Sequence, residues 1–201
     1  MPYDTTEWDH RYRRTGYWTG SEPAEFLREV LPLIPRGTAL DLASGEGRNA
    51  VFLAQQGFQV FAVERSRAGL EKTEALAREK GIACRCAAQL NPPHRHEAPL
   101  ALVQADLESF SLPAEQFDVM LCFKFLHRPL LPGLHRTLRR RGVLVYETYT
   151  LAQQQFEGGP KNAEFLLRPG ELREAFSGME ILFYSEICAG KGIASLLARK
   201  A

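Results

Sequence analysis

The sequence is poor in charge imbalance, in cysteine and in long apolar runs, and each shortage excludes something. Its 25 lysines and arginines are balanced by 24 aspartates and glutamates, a formal net charge of +1, so no general field draws the chain to nucleic acid or to an anionic membrane. No apolar stretch approaches the roughly 20 residues that a bilayer-spanning helix needs, and the first residues carry no apolar signal core. The four cysteines, Cys84, Cys86, Cys122 and Cys188, come with no secretory context, so reduced thiols and a cytoplasmic location are expected. No internal repeat is present. What is there, 201 residues of which 45% are hydrophobic, suits one α/β domain with an ample core by the rough prior of about 150 residues per domain.

The run from Leu40 to Gly57 carries most of the functional information. An apolar strand, Ala39 to Ala43, breaks at Ser44-Gly45-Glu46-Gly47, and a helix with Val51, Phe52 and Ala54 on its apolar side begins at once. Gly45 and Gly47 lack a β-carbon, so the turn can take positive φ and a ligand can approach the backbone closely, while the helix start offers unpaired N–H groups. Gly45-x-Gly47-x-x-Ala50 also satisfies the loose dinucleotide fingerprint. Asp41, four residues before the first glycine, narrows the choice: a carboxylate there repels a pyrophosphate and attracts a cation. S-adenosylmethionine, with an ammonium and a sulfonium, suits that charge better than NAD.

Further acids follow at strand ends. Phe58 to Val63 reads as a second strand with Glu64 at its carboxyl end, placed to accept both hydroxyls of a ribose. Leu100 to Ala105 is a third, ending in Asp106, whose carboxylate can accept an adenine N–H while Leu107 packs on the ring. Phe117 to Phe123 and Gly142 to Tyr146 are a fourth and a fifth. Between them the sequence predicts a helix from Ser21 or Glu22 to about Leu33, and one from an N-cap at Ser66 to Lys80 with Gly81 as its stop. An irregular insert covers 83–99, and a helix from Leu130 to Arg140 precedes the fifth strand. A long connection from Thr148 to Pro169 leads to a helix at Gly170 to Phe176 and an antiparallel pair, Glu180 to Glu186 and Ile193 to Arg199.

Asp41-x-x-x-Gly45-x-Gly47 after strand one, an acid after strand two, Asp106-Leu107 after strand three and Phe117-Asp118 opening strand four resemble the class I S-adenosylmethionine-dependent methyltransferases. Within them, Gly45-Glu46-Gly47-Arg48-Asn49-Ala50 with Phe52-Leu53-Ala54, Pro169-Gly170-Glu171-Leu172-Arg173 and Leu197-Ala198-Arg199-Lys200 are similar to the tellurite-resistance (TehB-like) group. The resemblance implies an α/β, Rossmann-like fold: a doubly wound, seven-stranded, mostly parallel sheet with one antiparallel strand and helices on both faces, in a single domain over 1–201. It implies S-adenosylmethionine as cofactor, with Asp41, Gly45 and Gly47 at its methionine end, Glu64 at the ribose, and Asp106 with Leu107 at the adenine. Asn49 and Arg65 complete the cofactor-binding set.

The catalytic candidates lie at the ends of the fourth and fifth strands. In Phe123-Lys124-Phe125-Leu126-His127-Arg128-Pro129, His127 can take a proton from a nucleophile or orient it, or simply cap the next helix. Alternation sends Glu147 and Tyr149 to one face of strand five and Tyr146 and Thr148 to the other, and one of these faces meets the cleft. Tyr149 is therefore the second candidate. Methyl transfer is an in-line displacement at an activated carbon, so alignment at ~3–3.5 Å carries much of the rate and a dedicated base is optional.

Four motifs remain. Trp8, Tyr12, Tyr17 and Trp18 read either as core packing or as a lid, residues 1–35, that closes over a sulfonium by cation–π attraction, with Gln153 to Asn162 as the opposite wall. Arg136, Arg139, Arg140 and Arg141 suggest RNA, but at the end of a helix they suit its dipole. Asn91-Pro92-Pro93-His94 matches a motif of amino-directed methyltransferases but precedes strand three, so it reads as loop. Cys84-x-Cys86 and His94-x-His96 offer four ligands, yet residues two apart in an extended chain lie ~6–7 Å from each other, so no metal is expected. The expectation is a methyltransferase for a small molecule or metalloid oxyanion, a monomer or homodimer with no nucleic-acid or membrane partner. The alternatives are a non-catalytic S-adenosylmethionine-binding regulatory protein and an NAD-linked oxidoreductase.

Overall fold

The computed structural model describes residues 5–91 and 98–201. One sheet organises them. Its strands are β1 (Thr38–Leu42), β2 (Gln59–Glu64), β3 (Cys84–Cys86), β4 (Leu100–Gln104), β5 (Phe117–Phe123), β6 (Leu138–Tyr149), β7 (Glu180–Cys188) and β8 (Gly192–Arg199), in the order β3-β4-β2-β1-β5-β6-β8-β7. All neighbours pair in parallel except at β8, which runs against both β6 and β7.

Six helices cover the two faces: α1 (Thr5–Tyr12), α2 (Glu25–Val30), α3 (Arg48–Gln55), α4 (Arg67–Glu79), α5 (Leu131–Thr137) and α6 (Glu171–Ala175). Successive residues of each strand point to opposite faces, which explains why the inner strands are apolar throughout. Ala39, Val60, Ala62, Leu121 and Val145 pack under α2, α3 and α4. Leu40, Phe61, Met120 and Leu144 meet Leu131 and Leu134 of α5 and Leu172 of α6. Ser66 caps α4 as its sequence predicts, its hydroxyl accepting the Gly69 N–H at 3.1 Å. Among the described residues no helix is long and apolar enough to cross a membrane.

The sheet has eight strands where the sequence predicts seven. The addition is β3, inside the stretch predicted to be irregular, where three residues pair with Leu100, Ala101 and Leu102. So short a strand has no periodicity to read, and β4 supplies its ladder. The second difference concerns the basic cluster. The helix predicted to run to Arg140 stops at Thr137, and β6 begins at once, so Arg139, Arg140 and Arg141 lie on a strand and Arg136 alone stays helical. Long-range pairing of Phe117 with Leu138 overrides local helix preference, and Arg139 is held by Asp118 at 2.8 Å. Cys84 is half-buried and Cys86 exposed, both as free thiols. His94, His96 and most of Asn91-Pro92-Pro93-His94 lie outside the described residues.

Candidate functional site

The site forms where β1 runs into α3. Ala43, Gly45 and Gly47 all take positive φ, at 51°, 59° and 81°, and this folds the turn back on the ends of β1 and β2. At Gly47 a side chain is excluded twice over, by backbone conformation and because a β-carbon would fall 2.2 Å from Thr73 Cγ2. Glu64 braces the turn: one carboxylate oxygen accepts the Gly45 N–H and the other the Ser66 N–H, both at 2.9 Å. Burial pushes the Glu64 carboxyl up, against those backbone bonds.

Asp41 is 2% exposed. Its Oδ2 and the nearby Ser44 Oγ have no hydrogen-bond partner among the described residues. Burial pushes the Asp41 carboxyl up to about 8, although the Arg48 guanidinium pulls it down. Buried polar atoms are nearly always paired, so two orphans at one glycine turn mark a place built to receive a polar, cationic ligand.

The remaining predicted donor residues are placed less simply. Asp106 is partly exposed, with Oδ2 3.0 Å from Arg65 and Oδ1 accepting the Glu108 N–H. Arg65 also reaches Glu108 at 3.8 Å. Leu107 turns its side chain into the core. Asn49 Oδ1 accepts the Ala24 N–H at 2.9 Å, tying α3 to the start of α2.

A second group gathers at the carboxyl ends of β5 and β6 and the amino-terminal half of β8, which runs against β6. Lys124, in left-handed conformation at φ 57°, sets its ammonium 2.9 Å from Glu147 Oε1 and 4.8 Å from the centre of the Tyr149 ring. Ser195 donates to the other Glu147 oxygen at 3.0 Å. The face carrying Glu147 and Tyr149 is thus the one turned toward Asp41 and Arg48, while Tyr146 is buried on the other face with its hydroxyl donating to the Phe125 carbonyl. Burial lowers the pKa of Arg48, against the fields of Glu147, Asp41 and Tyr149. Lys124 is lowered likewise by burial, with Glu147 opposing and the Lys191 and Arg48 charges assisting. Gly159 lies against Tyr149, where a β-carbon would stand 3.1 Å from the ring.

Tyr149 therefore joins this group and His127 does not. His127 precedes a 3-10 turn, its carbonyl accepting the Leu130 N–H, and its imidazole makes no hydrogen bond among the described residues. The sequence reading passed over Lys124, Glu46 and Lys72. Lys124 is the first residue after β5 and had that positional signal. Glu46 is almost fully buried, pairs with Lys72 at 2.7 Å and accepts the Trp18 N–H at 2.6 Å, and nothing local in the sequence announces it.

A family model described as "Methyltransferase domain" matches residues 40–146. No curated protein matches the chain in sequence. Among solved structures the chain is similar to TehB from Haemophilus influenzae, with a TM-score of 0.69 at 16% identity over 92% of this chain, of which it spans 64% of the other. It is similar to a SAM-dependent methyltransferase from Aquifex aeolicus, TM-score 0.67 at 15% identity over 99% and 100% of the two chains. It is also similar to geranyl diphosphate C-methyltransferase from Streptomyces coelicolor A3(2), solved with S-adenosyl-L-homocysteine, TM-score 0.62 at 12% identity over 87% and 74%. At these identities the likeness is one of fold.

Proposed function

Because the chain belongs to the methyltransferase-domain family, we propose that it moves the methyl group of S-adenosylmethionine to a small, anionic acceptor, and that the whole of residues 1–201 forms one catalytic domain. The observation that carries the donor assignment is the pair of buried, unpartnered atoms, Asp41 Oδ2 and Ser44 Oγ, beside a glycine turn with positive φ. A cationic amino-acid end answers Asp41, and Gly45 and Gly47 let it lie on the backbone. Glu64, already oriented by two N–H groups, keeps free lone pairs for ribose hydroxyls. Arg65 and Asp106, held to each other, border the adenine, with Leu107 contributing there through its backbone only, since its side chain is in the core. When bound, the donor supplies a carbon already activated for displacement, and the chain's part is to align the acceptor with it.

The acceptor side is cationic. Glu147 pairs with Lys124 at 2.9 Å and lies in the field of Arg48, while the Lys191 charge adds to that of Lys124, so cations outnumber the carboxylate there. Such a balance favours an oxyanion-bearing acceptor over a neutral or cationic one. Lys124 and Arg48 would hold it, and Tyr149 would orient it; His127 stays a secondary candidate for accepting a proton. The likeness to TehB and the Arg48-Asn49 pair after the glycines support a place near the tellurite-resistance group. The test is methyl transfer from labelled S-adenosylmethionine to tellurite, selenite, a carboxylate-bearing thiol and a neutral thiol. Turnover of anionic acceptors is expected. Preference for the neutral thiol would refute the acceptor class, binding of S-adenosylmethionine with no turnover would favour a regulatory protein, and preferential binding of NADH would refute the donor.

A further inference from the structure

Helix α1 does more than cover apolar surface. Its last residue, Tyr12, is 9% exposed, and its hydroxyl makes no hydrogen bond among the described residues. That hydroxyl lies over the glycine turn, 3.0 Å from the point where a β-carbon on Gly45 would stand. The same ring meets Gly69 in the first turn of α4, where a β-carbon would fall 3.1 Å from Tyr12 Cδ2, 3.2 Å from Glu64 Cγ and 2.8 Å from the Gly45 carbonyl. Two glycines on separate elements thus make room for one tyrosine, wedged against the carboxylate that braces the turn. A tyrosine placed only for packing could equally be phenylalanine; Tyr12 instead sets a hydroxyl against the glycine turn, where that oxygen is not shut away from what binds there.

The approach of α1 is fixed by polar contacts at several points. Asp9 accepts from the Ser66 hydroxyl and from the Ala68 N–H at 3.2 Å, so α1 completes the cap of α4. After Tyr12, Lys72 donates to the Arg14 carbonyl at 2.9 Å and to the Gly16 carbonyl, and Glu46 accepts the Trp18 N–H. Arg48 donates to the Thr19 carbonyl at 2.8 Å. Glu46 and Arg48 flank Gly47 in the turn itself, so the residues that hold the leading segment are those that shape the donor site. Burial and the Glu64 and Glu46 carboxylates keep the phenol protonated, hence a donor.

We propose that Tyr12 is a donor-site residue, its hydroxyl contacting the bound S-adenosyl group at the glycine turn, and that docking of α1 and binding of the donor are one linked equilibrium. This rests on the donor-site reading above, and the two can be separated. Calorimetry with S-adenosylhomocysteine on the full chain should show Tyr12→Phe binding about tenfold more weakly, the factor that one hydrogen bond carries, with its melting temperature unchanged. A purely structural tyrosine would leave that affinity alone, so equal dissociation constants for Tyr12→Phe and wild type would overturn the proposal. A second measurement needs no variant protein to fold: in wild type labelled at tyrosine Cζ, the Tyr12 resonance should shift on adding S-adenosylhomocysteine, and binding without that shift would overturn it too. Failure of the wild type to bind S-adenosylhomocysteine at all would refute the donor-site reading, and this inference with it.

Discussion

Replacing Asp41 by asparagine separates two effects that burial couples in one carboxyl group. Without a ligand, burial raises the Asp41 pKa from 3.8 to about 8, so between those values the folded chain holds a proton that the unfolded chain has released. Stability is therefore fully present below about pH 4 and is lost as pH rises toward 8; about four units at 1.36 kcal/mol each set the loss at about 5 kcal/mol. Asp41→Asn keeps the shape and removes the ionisation, so its stability should lack this part of the slope while keeping that of Glu64, which burial also raises, and its advantage over wild type should grow with pH. Binding shows the opposite sign. A donor carrying positive charge requires the carboxylate, and at pH 6 only about one site in a hundred is ionised if the pKa is about 8. The affinity of wild type for S-adenosylmethionine should therefore rise about tenfold from pH 6 to 7, rise less from 7 to 8 and level above that, whereas Asp41→Asn should bind more weakly with no such slope. Urea unfolding and calorimetry across pH 5–9 measure both. A wild-type affinity independent of pH, or an Asp41→Asn variant that parallels it, would refute the assignment of Asp41 to the cationic end of the donor.

Three further outcomes follow from the same geometry. Glu64→Ala removes the acceptor for the Gly45 and Ser66 N–H groups as well as the ribose contact, so calorimetry should show donor binding weakened ten- to a hundredfold (~1.5–3 kcal/mol); an unchanged constant removes Glu64 from the site. Gly69→Ala, at a helical position where alanine ordinarily gains up to about 1 kcal/mol, should instead destabilise by about 1–2 kcal/mol in urea, because its β-carbon would stand 2.8 Å from the Gly45 carbonyl; a more stable variant would contradict the packing of α1 and α4 described above. Lys124→Gln should raise the KM for an anionic acceptor about tenfold and leave the KM for S-adenosylmethionine unchanged, with Lys124→Arg restoring part of the loss; equal KM values in wild type and Lys124→Gln would count against the acceptor class.

The two halves of the site differ in how far local sequence reveals them, and the reason is topological. Asp41 and Glu64, near the ends of apolar strands, and Gly45 and Gly47, in the turn after the first of them, could be placed at one edge of the sheet from sequence, because a parallel sheet brings the carboxyl ends of its strands together. The same grammar located β1, β2, β4 and β5 closely and the N-cap at Ser66. It failed at β3, which borrows its ladder from β4, and at Arg139 to Arg141, where pairing with a distant strand outweighs helix preference. On the acceptor side every defining contact joins residues far apart in the chain: Lys124 with Glu147 across 23 positions and Glu147 with Ser195 across 48. Alternation limited Glu147 and Tyr149 to a common face, but choosing that face required knowing that β8 runs antiparallel beside β6 and sets Ser195 opposite Glu147. The donor side is built from strand ends with a shared local pattern, so it can be read from the chain. The proposed acceptor side is built from what that topology brings together, so its charge balance follows only from the folded arrangement.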